Sequence, residues 1–283
     1  DSDVSSLCDS ACRLLIHREP VFIRGWYGSM GYVVSKASFP EAQVPRTTNF
    51  MMGGSAYASS NFGYYRLKGL GRIKGPEGNS LLEVKEDKTL SSVLKARLRE
   101  AVASVQGDRQ IVGYYLSDEP ECRGLSAYHL EQVYEYLKQL DPYRFVMIVS
   151  RAPSRYIQAC DVVCPHPYLS PQVFEDGARQ FGNYILGIRN VMREAVRAND
   201  GSKAVWCMPQ TFSYGGKYAH HPNATESRWF THTALANGAT GIVPFIFKGY
   251  WNHWENRVAM KYVFEDLALL APAWLADDSM LEV

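Results

Sequence analysis

The chain has 283 residues, a length that one (β/α)8 barrel of about 250 residues fills and that also admits two ordinary domains. Lys and Arg number 30 against 29 Asp and Glu, a net +1 with no long block of one sign, which excludes a basic nucleic-acid-binding arm or an acidic tail. Apolar residues make up 46% and aromatics 13%, enough for a packed core, and no apolar run approaches the ~20 residues that would span a bilayer.

Asp1 to Ser6 lacks the basic and apolar regions of a signal peptide, so either none preceded it or one has been removed. Cys8, Cys12, Cys122, Cys160, Cys164 and Cys207 show no paired C-x2-C zinc pattern and are too few for a disulfide scaffold, so buried or locally bridged cysteines are expected. His220-His221 has no third ligand at useful spacing, and neither a metal nor a cofactor is assigned. Asn223-Ala-Thr225 fits the N-glycosylation acceptor, which leans the compartment toward a secreted or extracytoplasmic one.

In chain order, short β-branched or aromatic runs alternate with longer helical stretches. Val21 to Trp26 and Thr48 to Met52 read as strands, followed by a weak one at Arg72 to Lys74. The stretches Gly31 to Pro45 and Ala56 to Gly71 hold only long loops or stunted helices. Leu90 to Val105 carries apolar residues at helical spacing, and Ile111 to Leu116 is the next strand. A helix over Leu125 to Leu140 begins behind Ser126 as cap and stops at Asp141-Pro142. Strands at Phe145 to Val149 and Val162 to Cys164 precede a helix over Asp176 to Ala198. Ala204 to Met208, a helix over Ser227 to Ala236, Gly241 to Phe247 and a helix over Val258 to Leu270, ended by Pro272, complete the series.

Eight strands alternating with helices predict an α/β chain, a parallel (β/α)8 TIM barrel with irregular early helices. A doubly wound open sheet would carry a glycine-rich phosphate loop after its first strand, and Trp26 to Gly31 is not one. A single catalytic domain over 1–283 is expected, with room for a further C-terminal domain outside this sequence.

In such a barrel the active site lies at the C-terminal strand ends. Those ends carry Arg24, Trp26 and Tyr27; Ser117-Asp118-Glu119-Pro120; His166-Pro167-Tyr168; Trp206 and Gln210; and Lys248, Tyr250, Trp251 and Glu255. Aromatic faces beside hydrogen-bonding tips suit a sugar, which offers a C–H face and a belt of hydroxyls. The alternative for each ring alone is ordinary packing. Asp118-Glu119, stopped by Pro120, is the sharpest feature, because acids after an apolar strand need a reason to be there. A carboxyl partly desolvated by neighbouring rings favours its neutral form, as a general acid for a glycosidic oxygen requires.

The segments FIRGWYG (22–28), GYYLSDEPE (113–121), LDPYR (140–144), CDVVCPHPY (160–168), VWCMPQTF (205–212) and ALANGATGIVPFIF (234–247) resemble the strand-end signatures of (β/α)8 glycoside hydrolases of clan A, around families 2, 5 and 42. The likeness is piecewise, from about Leu14 to Leu270. It implies that Glu119 is the acid/base, beside Asp118 where the group commonly has Asn. It also implies a nucleophilic Glu at the end of strand seven, where Val205 to Tyr214 holds no acid and only Gln210.

Four explanations stay open. Glu255 or Glu77 serves as second carboxylate; or Asp118 and Glu119 work with a substrate acetamido group, as the resemblance of that pair to family 20 hexosaminidases implies. Otherwise Gln210 replaces a glutamate, or the barrel binds carbohydrate without turnover. The expected substrate is an oligo- or polysaccharide, with no nucleic-acid or membrane partner. Trp26, Tyr168, Trp206 and Trp251 are the expected sugar platforms, and His166, Gln210 and Lys248 the hydroxyl contacts. Arg24, the odd charge in its strand, is expected to form a buried pair near the barrel mouth. Ser29 and Ser117 have no base at motif spacing, so a serine hydrolase is not expected.

Overall fold

The computed structural model describes residues 6–9, 12–28, 47–52, 64–71, 73–168, 177–199, 201–213, 221–246 and 254–276. It opens with a small antiparallel sheet of β1 (Ser6–Cys8), β2 (Leu14–Ile16) and β3 (Glu19–Pro20). Asp9 makes the turn between the first two, its carboxylate accepting from the backbone and guanidinium of Arg13 at 2.9 and 2.7 Å. Strands of two or three residues carry no readable period, so the sequence reading missed this sheet.

Eight further strands close into a parallel barrel: β4 (Ile23–Tyr27), β5 (Phe50–Met52), β6 (Tyr65–Gly69), β7 (Ile111–Asp118), β8 (Phe145–Val149), β9 (Val162–Cys164), β10 (Ala204–Cys207) and β11 (Gly241–Ile242). The helices are α1 (Ser92–Ala103), α2 (Ala127–Leu140), α3 (Pro153–Tyr156), α4 (Gly177–Ala198), α5 (Ala224–Leu235) and α6 (Trp254–Leu275). The expected (β/α)8 fold is therefore the observed one, with one strand misplaced. The third barrel strand is Tyr65–Gly69 and not Arg72 to Lys74. Lys74 instead makes an isolated bridge to Ser80, and Arg72 lies outside the described residues. Tyr65–Gly69 carries two cations and a glycine, which hid it among loop residues.

The chain divides into two compact units. One comprises Asp1–Val21, Arg66–Pro165 and Glu194–Val205. Its centre is β8, buried at all five positions, and α2 buries Leu130, Val133 and Leu137. Ser126 caps α2 as expected, accepting from the His129 N–H at 2.9 Å. Asp141, at the end of that helix, accepts from Tyr114 at 2.8 Å and from Arg144 at 2.7 Å, while Arg144 also donates to the carbonyls of Ile111 and Val105. Asp141 and Arg144 of the LDPYR segment thus form a buried lock between the end of α2 and the start of β7. It holds the Tyr114 hydroxyl protonated by burial and by the Asp141 charge.

The other unit comprises Phe22–Tyr65, His166–Arg193 and Trp206–Val283. Here glycines face large rings. A Cβ on Gly25 would come within 2.6 Å of Phe50, and one on Gly241 within 2.8 Å of Trp206. Phe50 and Trp206 meet edge-on at 5.2 Å. α5 starts three residues earlier than the apolar spacing indicates, behind a capping box in which Asn223 accepts from Glu226 N–H and Glu226 from Asn223 N–H. α6 runs through Pro272, which was expected to end it. Among the described residues no helix is long and apolar enough to cross a membrane. The six cysteines are unbridged, and burial pushes the Cys207 thiol up to about 12.

Candidate active site

β7 is the longest barrel strand, and its register against β8 slips near the end. Tyr115 lies opposite Met147 but Ser117 opposite Ile148, so one extra residue is accommodated. Because side chains alternate along a strand, the slip exchanges the faces that the last residues address. Asp118 ends the strand opposite Val149, and the Glu119 N–H donates to the Val149 carbonyl at 2.9 Å.

Glu119 then leaves the sheet in the left-handed region, at φ 41° and ψ 56°. That conformation costs an L-residue about 1–2 kcal/mol and persists where surroundings over-determine it, as they do here. Pro120 opens a 3-10 turn over Pro120–Arg123, and the Glu119 carbonyl accepts from Cys122 N–H at 3.1 Å. The turn is fastened on two sides. Glu121 accepts from the Ser150 hydroxyl at 2.8 Å and from Arg151 N–H at 2.7 Å, at the exit of β8. Arg123 donates to Glu83 at 3.0 Å, to the Ser117 hydroxyl at 3.1 Å and to the Asp118 carbonyl.

Asp118 is exposed and Glu119 half-buried. Burial, and after it the Asp118 charge, push the Glu119 carboxyl above the ordinary 4.5; Arg151 and Arg123 pull it down, and Glu121 adds to the rise. A cleft of about 90 Å³ adjoins the strand end, lined by Ser80, Leu82, Glu83, Ser117, Asp118 and Arg123 among others. A half-buried carboxyl whose burial favours the protonated form is equipped to donate a proton from a strand end.

The other unit carries an aromatic group of its own. Phe245 stands 4.9 Å from Tyr27, 5.7 Å from Tyr168 and 5.4 Å from Phe212, and His166 lies 4.8 Å from Tyr168. Tyr27, Tyr168 and Phe245 keep part of their surface exposed, and the Tyr168 hydroxyl reaches Met208 Sδ at 3.6 Å. His166 and Gln210 are 1% exposed. The Gln210 amide donates to the Phe212 carbonyl at 2.8 Å, a bond that an ionised glutamate at this place could not make.

The remaining expected residues fall apart from these two groups. Trp26 and Trp206 are fully buried, Trp26 against Phe264 of α6 at 5.2 Å and Trp206 against Phe50, so neither has an exposed ring face on which a sugar could stack. Arg24 is the second residue of β4, away from its C-terminal end. Its guanidinium donates to the carbonyls of Thr47 at 2.8 Å and Phe22 at 3.3 Å, so among the described residues backbone carbonyls, not a carboxylate, meet it. Glu77 is exposed in the turn between Gly75 and Gly78. Glu255 is half-buried in the first turn of α6. Lys248 and Trp251, like Ser29 and His220, lie outside the described residues. Glu121, Arg123 and Arg151 escaped the sequence reading, although three acids within four residues followed by arginine was a signal available at 118–123.

No family model matches the chain, and no curated protein matches it. Solved structures do. A GH2 β-galacturonidase from Eisenbergiella tayi bound to galacturonate aligns with a TM-score of 0.56 at 12% identity, over 93% of this chain and 54% of that one. A β-D-glucuronidase of Dictyoglomus thermophilum gives 0.55 at 11%, over 86% and 47%. A β-glucuronidase from Ruminococcus gnavus, in complex with an N1-substituted uronic isofagomine, gives 0.54 at 13%, over 86% and 45%. The chain spans about half the length of these proteins. At such identity the likeness is one of fold: the protein is a closed parallel (β/α)8 barrel, a fold it shares with these proteins.

Proposed function

We propose that the protein is a glycoside hydrolase that cleaves an O-glycosidic bond of an oligo- or polysaccharide, with Glu119 as general acid/base and Asp118 beside it. The observation that carries this reading is the half-buried Glu119 carboxyl at the C-terminal end of β7, held above the usual carboxylate range by burial and by Asp118. A proton on that carboxyl at mildly acidic to neutral pH is what a leaving glycosidic oxygen needs. The fold shared with glucuronidases and a galacturonidase supports the reaction class.

A second reading is favoured by the run Ala204 to Ser213, which has no acid. There the missing nucleophile is the substrate's own 2-acetamido group, oriented by Asp118 while Glu119 donates the proton.

The test is a panel of aryl glycosides, uronosides and N-acetylhexosaminides included, assayed with wild type and Glu119→Gln. Turnover by wild type that falls by about 10²–10⁴ in Glu119→Gln supports the acid/base role. Turnover confined to N-acetylated substrates, and lost in Asp118→Asn, selects the second reading. Equal turnover by both proteins removes Glu119 from the mechanism, and none by either leaves a carbohydrate-binding barrel.

A further inference from the structure

The turn that follows Glu119 has more fastenings than a surface turn of four residues needs. Both carboxylate oxygens of Glu121 are engaged at the exit of β8, on the Ser150 hydroxyl at 2.8 Å and on Arg151 N–H at 2.7 Å. Ser150 is fully buried, and its oxygen also accepts from Ala152 N–H at 3.0 Å, so this anchor is itself fixed. On the other side Arg123 reaches the Ser117 hydroxyl at 3.1 Å, the Asp118 carbonyl, and Glu83 of the loop after β6 at 3.0 Å. Between the two anchors lies the left-handed backbone of Glu119. An L-residue leaves that region readily unless both flanks are held.

We propose that Glu121 and Arg123 are positioning residues for Glu119, clamping its turn to β8 on one side and to β7 and Glu83 on the other so that the carboxyl is presented in one fixed direction. The proposal rests on the reading of Glu119 as general acid. The two residues carry opposite charges, and this separates positioning from an effect of charge alone. The charged groups around Glu119 are Asp118 from β7, Glu121 and Arg123 from the turn, and Arg151 beyond β8, with Glu83 paired to Arg123. With the turn held in place, loss of the Glu121 charge lowers the Glu119 titration midpoint, and loss of the Arg123 charge raises it. A turn that loosens because its clamp is gone exposes Glu119 to water and moves both midpoints down.

The experiment follows the ¹³C side-chain carboxyl resonance of Glu119 against pH in the full chain, assigned by its loss in Glu119→Gln. A midpoint lowered in Arg123→Gln as well as in Glu121→Gln supports the clamp; opposite shifts, which report charge alone acting across an unmoved turn, or no shift, overturn it. This readout needs no turnover, so it decides the clamp even if Glu119→Gln proves as active as wild type and the acid reading falls. With an aryl glycoside that wild type cleaves, Glu121→Ala is expected to lower kcat about tenfold with KM within twofold. Glu121→Gln, which keeps an acceptor for Ser150, is expected to recover most of that loss. If Glu121→Ala does not fold, Ser150→Ala removes one anchor without a charge change and is expected to lower kcat in the same sense; an unchanged kcat there overturns the clamp.

Discussion

Glu119 combines two costs, a left-handed backbone and a carboxyl whose ionised form is partly desolvated. Each gives a stability prediction. Glycine alone adopts φ 41° without a Cβ clash, so Glu119→Gly is expected to be more stable than Glu119→Ala by roughly 1 kcal/mol in chemical denaturation. Because the folded carboxyl titrates above its unfolded value, its contribution to stability is fully present below the unfolded value and is lost as pH rises through the folded one. Glu119→Gln, which cannot ionise, is therefore expected to melt higher relative to wild type at pH 7 than at pH 4. A difference in Tm that does not grow between those pH values would contradict the burial assigned to this group. In the proposed reaction the same shift sets an alkaline limb, since kcat/KM falls as the donor loses its proton above the ordinary 4.5.

Among the elements, the α2 lock and the barrel interior are the most exacting. Arg144 and Asp141 are both almost wholly buried, so Asp141→Ala strands a guanidinium and frees Tyr114; a loss of about 3–5 kcal/mol is expected in urea unfolding. Gly25→Ala sets a methyl against Phe50 in a packed interior and is expected to cost about 1–3 kcal/mol by the same measurement. Legibility in the sequence followed element length and local chemistry. Phe145 to Val149 and Val162 to Cys164 were readable to the residue because five and three consecutive buried apolar residues leave no other reading. Ser126 announced α2 through its cap, whereas Asn223 was noticed as a glycosylation acceptor and not as the cap that begins α5. Tyr65–Gly69 was missed because its side chains are only half-buried and two are cationic, so no apolar run marks it.

For the molecule as a whole, alternation of strands and helices carried the fold, since a parallel strand needs a crossover before the next. The site was legible only in part. The position of Asp118 and Glu119 at the end of a barrel strand followed from order along the chain alone. Trp26 and Trp206 were misjudged as platforms because composition does not say which ring faces inward; pairing with Phe264 and Phe50 is a long-range matter. The near-balance of 30 cations and 29 anions predicts that the protein is not retained on heparin at about 0.15 M salt, where the Debye length is about 8 Å. Retention would reveal a basic face that net charge conceals.

The one-residue slip of β7 has a consequence for how such a barrel could be re-tooled. Removal of Leu116 would restore an unbroken ladder with β8 and leave Ser117 and Asp118 opposite Ile148 and Val149, as they are now. The strand can therefore be shortened by one codon at that point without re-aiming the acids at its end.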